Sequence, residues 1–168
     1  MSKAFLRESD SDDLPELPRP VATLPPGAKN LMTTAGARRL REELDRLLAQ
    51  DRPPLAARGV DDGDARRELQ VLDQRIRQVQ ASLQSAEIIA PVAGPKDVVR
   101  FGDTVTVRDH DEVRACYHIV GVDETEFGAD AVSWQSPLAR ALLNARLGER
   151  VSFQVPAGQA TLEIVAID

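Results

Sequence analysis

Cysteine and histidine are scarce: the 168 residues hold one cysteine, Cys116, and two histidines, His110 and His118. An internal disulfide is therefore excluded, and so is a structural zinc site, which needs four such ligands. No uninterrupted apolar run approaches the ~18 residues that a spanning helix requires, which argues against a membrane protein. The N-terminal MSKAFLRESDSDDLPE has no apolar stretch of the signal-peptide kind and turns acidic where one would be hydrophobic, so the expected location is cytoplasmic. No G-x-x-x-x-G-K motif or glycine-rich strand–helix turn is present to cradle phosphate. Basic excess is missing as well: residues 1–30 carry 4 Lys/Arg against 5 Asp/Glu, residues 31–88 carry 10 against 10, and residues 89–168 carry 7 against 12. Autonomous binding of nucleic acid rests on neutralising phosphates, so any involvement with nucleic acid is expected to be indirect.

What is present is a soluble composition, 42% hydrophobic and 29% charged, with room for one domain or two small ones. Residues 1–30 hold five of the eleven prolines among Ser, Asp and Glu, and read as a disordered acidic, Pro-rich tail. Order is expected from about Asn30, with Thr33 or Thr34 as N-cap of a helix through AGARRLREELDRLLAQ. Leu40, Leu44, Leu47 and Leu48 fall on one stripe of it. Leu69, Leu72, Ile76, Val79 and Leu83 repeat at spacings of 3, 4, 3 and 4, a heptad seam that wants a partner helix. Between the two lies RPPLAARGVDDGDA, punctuated by Pro53, Pro54, Gly59 and Gly63. Residues 31–90 are thus expected to form an antiparallel helical hairpin, a coiled coil with its tip near 59–64.

After Pro95 the period becomes alternating. Strands are expected over Val99–Val107, Ala115–Val122, Ala131–Trp134, Val151–Val155 and Thr161–Ile167, in hairpin succession. One helix interrupts them, with Ser136 as N-cap, Pro137 at N1 and Gly148 as its stop. The fold class is α+β: a helical hairpin followed by a β-rich domain over residues 91–168.

Candidate chemistry is sparse. Cys116 and His118 share a strand face and form a conceivable nucleophile–base dyad, against the simpler reading of a buried Cys beside a half-exposed His. Asp109, His110, Asp111 and Glu112 read as solvated turn residues rather than a metal site. Asp61, Asp62 and Asp64 at the hairpin tip are open to two readings. They can cap the second helix and favour its dipole, or offer hard oxygen ligands to a Mg²⁺ ion in a partner's active site.

The segments VVRFGDTVTVRD, YHIVGVDE and SWQSPLARALLNARLGERVSFQVPAGQATLEIVAI, with TTAGARRLREELDRLLAQDRP and RRELQVLDQRIRQVQASLQSAEII before them, resemble the Gre family of bacterial transcript-cleavage factors. The likeness spans roughly residues 30–168, and MSKAF is similar to GreB-like N-termini. It implies an FKBP-like C-terminal domain that docks at the rim of the secondary channel of RNA polymerase, and a coiled coil that enters toward the catalytic Mg²⁺. Family tip acids help hold a second metal ion there, so the polymerase's own site hydrolyses the RNA. The family tip pattern D-x-x-E-N-x-[DE]-Y is absent, and about six residues are missing from each arm, which shortens the reach by ~9 Å. Asp61, Asp62 and Asp64 stand at the corresponding place without matching those acids one by one. Gln135, Ser136 and Pro137 match the segment near the polymerase-facing surface.

The expectation is an RNA polymerase-binding regulator of transcription elongation with weak or absent cleavage stimulation. It is expected to be a monomer and not itself an enzyme, with no cofactor or metal of its own beyond a Mg²⁺ shared with the polymerase. Two other readings stay open: an active cleavage factor that uses the tip aspartates, and a non-catalytic module for another protein partner.

Overall fold

The computed structural model describes residues 24–168, so most of the tail expected at 1–30 lies outside the described residues. The chain is α+β, with a helical part followed by a curled mixed sheet. A short strand β1 (Asn30–Thr33) leads into α1 (Thr34–Arg46). Thr33 is the N-cap, its Oγ1 accepting from the Gly36 amide at 2.9 Å, which satisfies one of the amides left open at a helix start. A π-helical turn, Leu47–Asp51, then passes into α2 (Arg52–Arg58), and α3 (Gly63–Ser85) returns to β2 (Ala86–Ile89), which pairs in parallel with β1.

The segment expected as a linker is therefore largely helical. Pro53 and Pro54 fall in the first turn of α2, where a missing N–H is tolerated. The wider π turn ahead of them, closed by the Arg52 amide on the Leu47 carbonyl, carries the first arm past the diproline without ending it. The two arms lie side by side in opposite directions. Glu43 meets Arg75 (2.8 Å) near the base, Arg52 meets Asp73 (2.8 Å) further out, and Arg66 reaches the Gly59 carbonyl (3.2 Å) at the tip. Met32, Ala37, Leu40 and Val79 form the buried cluster at the base, with Leu44 and Leu83 packed against it. Leu69 and Leu72 are only half-buried, and Leu48 faces solvent, because a two-helix layer covers a narrower stripe than the leucine spacing offers.

The sheet has the order β5-β4-β3-β7-β6, from β3 (Thr104–Arg108), β4 (Arg114–Val120), β5 (Ala131–Ser133), β6 (Arg150–Val155) and β7 (Gly158–Ile167). It is not a plain hairpin succession. β4 and β5 run parallel, joined through a 3₁₀ helix at Val122–Phe127, and β3 pairs with both β4 and β7. The first strand starts later than the pattern of Val99 and Phe101 implies, since a turn at Phe101–Gly102 precedes β3 and Val98 makes only an isolated bridge to Arg146. Val105, Val107, Ile119, Phe153 and Ile164 point to one face, which α4 (Pro137–Leu142) covers with Leu138 and Leu142. That helix ends at Leu142, short of Gly148, because the chain turns through a left-handed residue at Asn144 (φ 67°).

The helical part and the sheet meet where the 3₁₀ helix touches β1 and α1. Phe127 packs against the Met32–Leu40–Val79 cluster, Arg39 stacks over its ring at 5.4 Å, and Ser82 hydrogen-bonds Asp123. Glu124, at 2% exposure, lies inside this joint.

Candidate functional site

The tip of the helical arms is a turn of four residues, Gly59–Asp62. The amides of Gly59 and Asp62 bond the carbonyls of Leu55 (2.8 Å) and Arg58 (3.1 Å), closing α2, and Asp62 then opens α3 as its N-cap. Asp62 Oδ1 accepts from the amides of Asp64 (2.9 Å) and Ala65 (3.2 Å), and Oδ2 receives Arg58 Nη2 at 3.2 Å. These bonds to backbone amides, with the Arg58 contact behind them, hold the Asp62 carboxyl below the usual carboxylate range. Asp64 pairs with Arg67 at 3.2 Å, and Arg66 spans the turn to the carbonyls of Gly59 and Val60, both at 3.2 Å.

Three arginines thus balance the three aspartates in charge, with Arg58 paired to Asp62 and Arg67 to Asp64, and the tip is close to neutral. Asp62 is engaged in the helix cap with both oxygens. The Asp64 pair is fully solvated and holds that side chain only weakly, as exposed pairs do. Among the described residues the three tip aspartates do not form a group with ligand atoms close enough to share an ion, whereas Asp109, His110 and Asp111 do. Those last three belong to the β3–β4 turn. Asp109 Oδ1 accepts from the amides of Asp111 and Val113, each at 2.9 Å, which is the turn chemistry that Asp commonly supplies.

Gln135, Ser136 and Pro137 lie on the sheet part, in the tight turn between β5 and α4. The Gln135 amide bonds Ser133 Oγ (3.2 Å), the Ser136 amide bonds the Ser133 carbonyl (2.9 Å), and Ser136 Oγ caps α4 by accepting from Ala139 N at 3.1 Å. Pro137 is exposed and Gln135 half-buried. Ser136 accordingly has a structural task, while its neighbours offer side-chain surface.

Cys116 and His118 share the outer face of β4 but take separate partners. Cys116 Sγ lies 3.4 Å from Thr106 Oγ1, and His118 Nε2 lies 3.2 Å from the Gly102 carbonyl oxygen, an arrangement without a nucleophile–base contact. Cys116 is exposed, not buried as its type would have it. The residue that sequence reasoning did not single out is Glu124. Its signal was an acid within GVDETEF, and nothing in that spacing shows that the carboxylate turns inward.

The family profile described as "Transcription elongation factor, GreA/GreB, C-term" matches residues 94–168, which take in the whole sheet and α4. The transcription elongation factor GreA of Halorhodospira halophila is 38% identical over 152 residues, covering 81% of this chain and 95% of that protein. The transcription elongation factor GreB of Neisseria meningitidis serogroup B is 34% identical over 153 residues, covering 83% and 94%. Among solved structures, GreA factor homolog 1 (Gfh1) of Thermus thermophilus shares 26% identity over 84% of this chain and 99% of its own, with a TM-score of 0.39. With similarity to curated relatives running through the helical arms and the sheet alike, the chain belongs to the GreA/GreB family of transcription elongation factors.

Proposed function

We propose that this chain is an RNA polymerase-binding regulator of transcription elongation that stimulates transcript cleavage weakly or not at all. In this reading residues 91–168 are an FKBP-like domain that docks at the rim of the secondary channel, and residues 31–90 are a coiled coil that enters it. The protein acts in the cytoplasm as a monomer, and any Mg²⁺ involved is the polymerase's own. One observation carries the weak-cleavage part: Asp62, the central acid of the tip, has both carboxylate oxygens engaged by Arg58 and by the amides of Asp64 and Ala65. Delivering a carboxylate to a metal requires placement within fractions of an ångström, and here the acid would have to surrender its helix cap to do so.

Docking asks less of the tip than coordination does. An acidic sheet part, with 7 Lys/Arg against 12 Asp/Glu over residues 89–168, repels phosphate and complements a basic or mixed protein rim. The protein is therefore expected to bind polymerase and to leave naked duplex DNA free at physiological salt. Q135R and P137R should weaken polymerase binding, by bulk and by a charge that opposes a basic rim, while leaving the melting temperature within a few degrees, since neither side chain lies in the core. Binding is measured by co-elution with polymerase, with GreB as competitor. Affinities equal to wild type would remove this turn from the interface, and tight DNA binding without polymerase would overturn the partner assignment.

A further inference from the structure

Glu124 is an ionisable side chain at 2% exposure; Asp103, the other buried acid among the described residues, is paired with Lys96 within the sheet part, whereas Glu124 has no cation beside it among its hydrogen-bond partners. Carboxylates are rarely buried, and one that is must be held by donors. Its donors come from both parts of the molecule. Oε2 accepts from the Thr33 amide at 3.0 Å and from the Gly121 amide at 2.8 Å, and Oε1 accepts the Thr33 hydroxyl. Thr33 is the N-cap of α1, so the carboxylate reaches the first turn of the helical arm through a single residue. Gly121 directly follows β4 and starts the 3₁₀ helix, so the same carboxylate is anchored to the end of a sheet strand.

The backbone has been cleared to admit it. A Cβ at Gly36 would stand 1.8 Å from Glu124 Oε1, and one at Gly121 would stand 2.2 Å from the Leu31 carbonyl oxygen, so neither position accepts a side chain without moving the joint. Apolar packing of Phe127 on the base cluster is non-directional and tolerates sliding. Three hydrogen bonds on one buried carboxylate do not. We propose that Glu124 is the positioning residue that fixes the direction of the helical arms relative to the sheet. Its functional consequence rests on the polymerase-binding reading, where the arm angle decides whether the tip and the Gln135–Pro137 turn engage the same partner at once.

The test is the distance distribution between spin labels on V71C, on α3, and V113C, beside β4, in a C116S background; Val71 and Val113 are 69% and 48% exposed. In the full chain a single narrow distribution is expected. E124A should broaden it and shift its centre with far-UV circular dichroism unchanged, and E124Q, which keeps one acceptor oxygen for the two amides, should fall between. G36A should broaden it as well, by driving the carboxylate out, although Ala is the better helix former. Should E124A fail to fold, G36A decides the matter alone. A distribution as narrow as the parent's in a folded E124A or in G36A overturns the proposal and leaves the apolar cluster as what sets the angle. No polymerase enters the measurement, so its failure is separable from failure of the binding reading.

Discussion

Asp62 shows how much one carboxylate can decide at the residue scale. It starts α3, ties the turn to Arg58 and is lowered in pKa by those same contacts, the amides of Ala65 and Asp64 first. A folded value below the unfolded one makes its contribution complete above the ordinary carboxylate range, with loss as pH falls through the folded value. Amide resonances of Asp64 and Ala65 should therefore report the Asp62 titration by shifting together only on the acid side of the ordinary carboxylate range. Asn caps a helix about as well as Asp but does not titrate there, so D62N should abolish that acid transition while keeping the helix start, and D62A should fray it at every pH. An acid transition that survives in D62N would assign the titration to another group. The neighbouring Asp64–Arg67 pair, wholly solvated, is not expected to matter to the fold.

At the scale of elements, burial along α3 is uneven, and stability should follow it. Ile76 is 6% exposed and Leu72 half-buried, although both sit on the same heptad seam. I76A is expected to cost ~2–5 kcal/mol and L72A clearly less, read as the shift in urea midpoint, because the cost tracks the enclosed volume that is emptied. Equal losses would mean that the arm is packed as a fully enclosed bundle. The heptad positions, the Thr33 and Ser136 caps and the five strands of the sheet, the first with a later start, were legible because each has a local cause: spacing, a side-chain acceptor, or alternation. The rest was set by contacts the spacing does not carry. Pro53 and Pro54 read as helix breakers, yet a π turn upstream absorbs them. β1 and β2 are four residues each and exist through pairing with one another across the whole helical excursion, which no window along the chain reveals. β5 runs parallel to β4 because the 3₁₀ helix between them turns the chain back, and that same 3₁₀ helix carries the inward-facing Glu124.

For the whole molecule, the helical arms end in the Gly59–Asp62 turn, and the acidic sheet part carries the Gln135–Pro137 turn. The family tip pattern is missing from the first. In the second, Ser136 caps α4 and Pro137 is exposed. Under the proposed function, docking without metal delivery is the expected behaviour, since attraction between charges ~9 Å apart is already screened at cellular salt, where the Debye length is about 8 Å. Such a protein would occupy the polymerase channel and exclude an active cleavage factor while leaving the polymerase's own hydrolysis unassisted. The most direct test is dinucleotide release from backtracked polymerase complexes, with wild type and with the Asp61→Ala, Asp62→Ala, Asp64→Ala triple variant, each alone and in competition with GreB. Release near the level of polymerase alone with both proteins, and suppression of GreB-stimulated release by both, is the expected result; strong cleavage by wild type that vanishes in the triple variant would contradict it and make these aspartates metal-positioning groups.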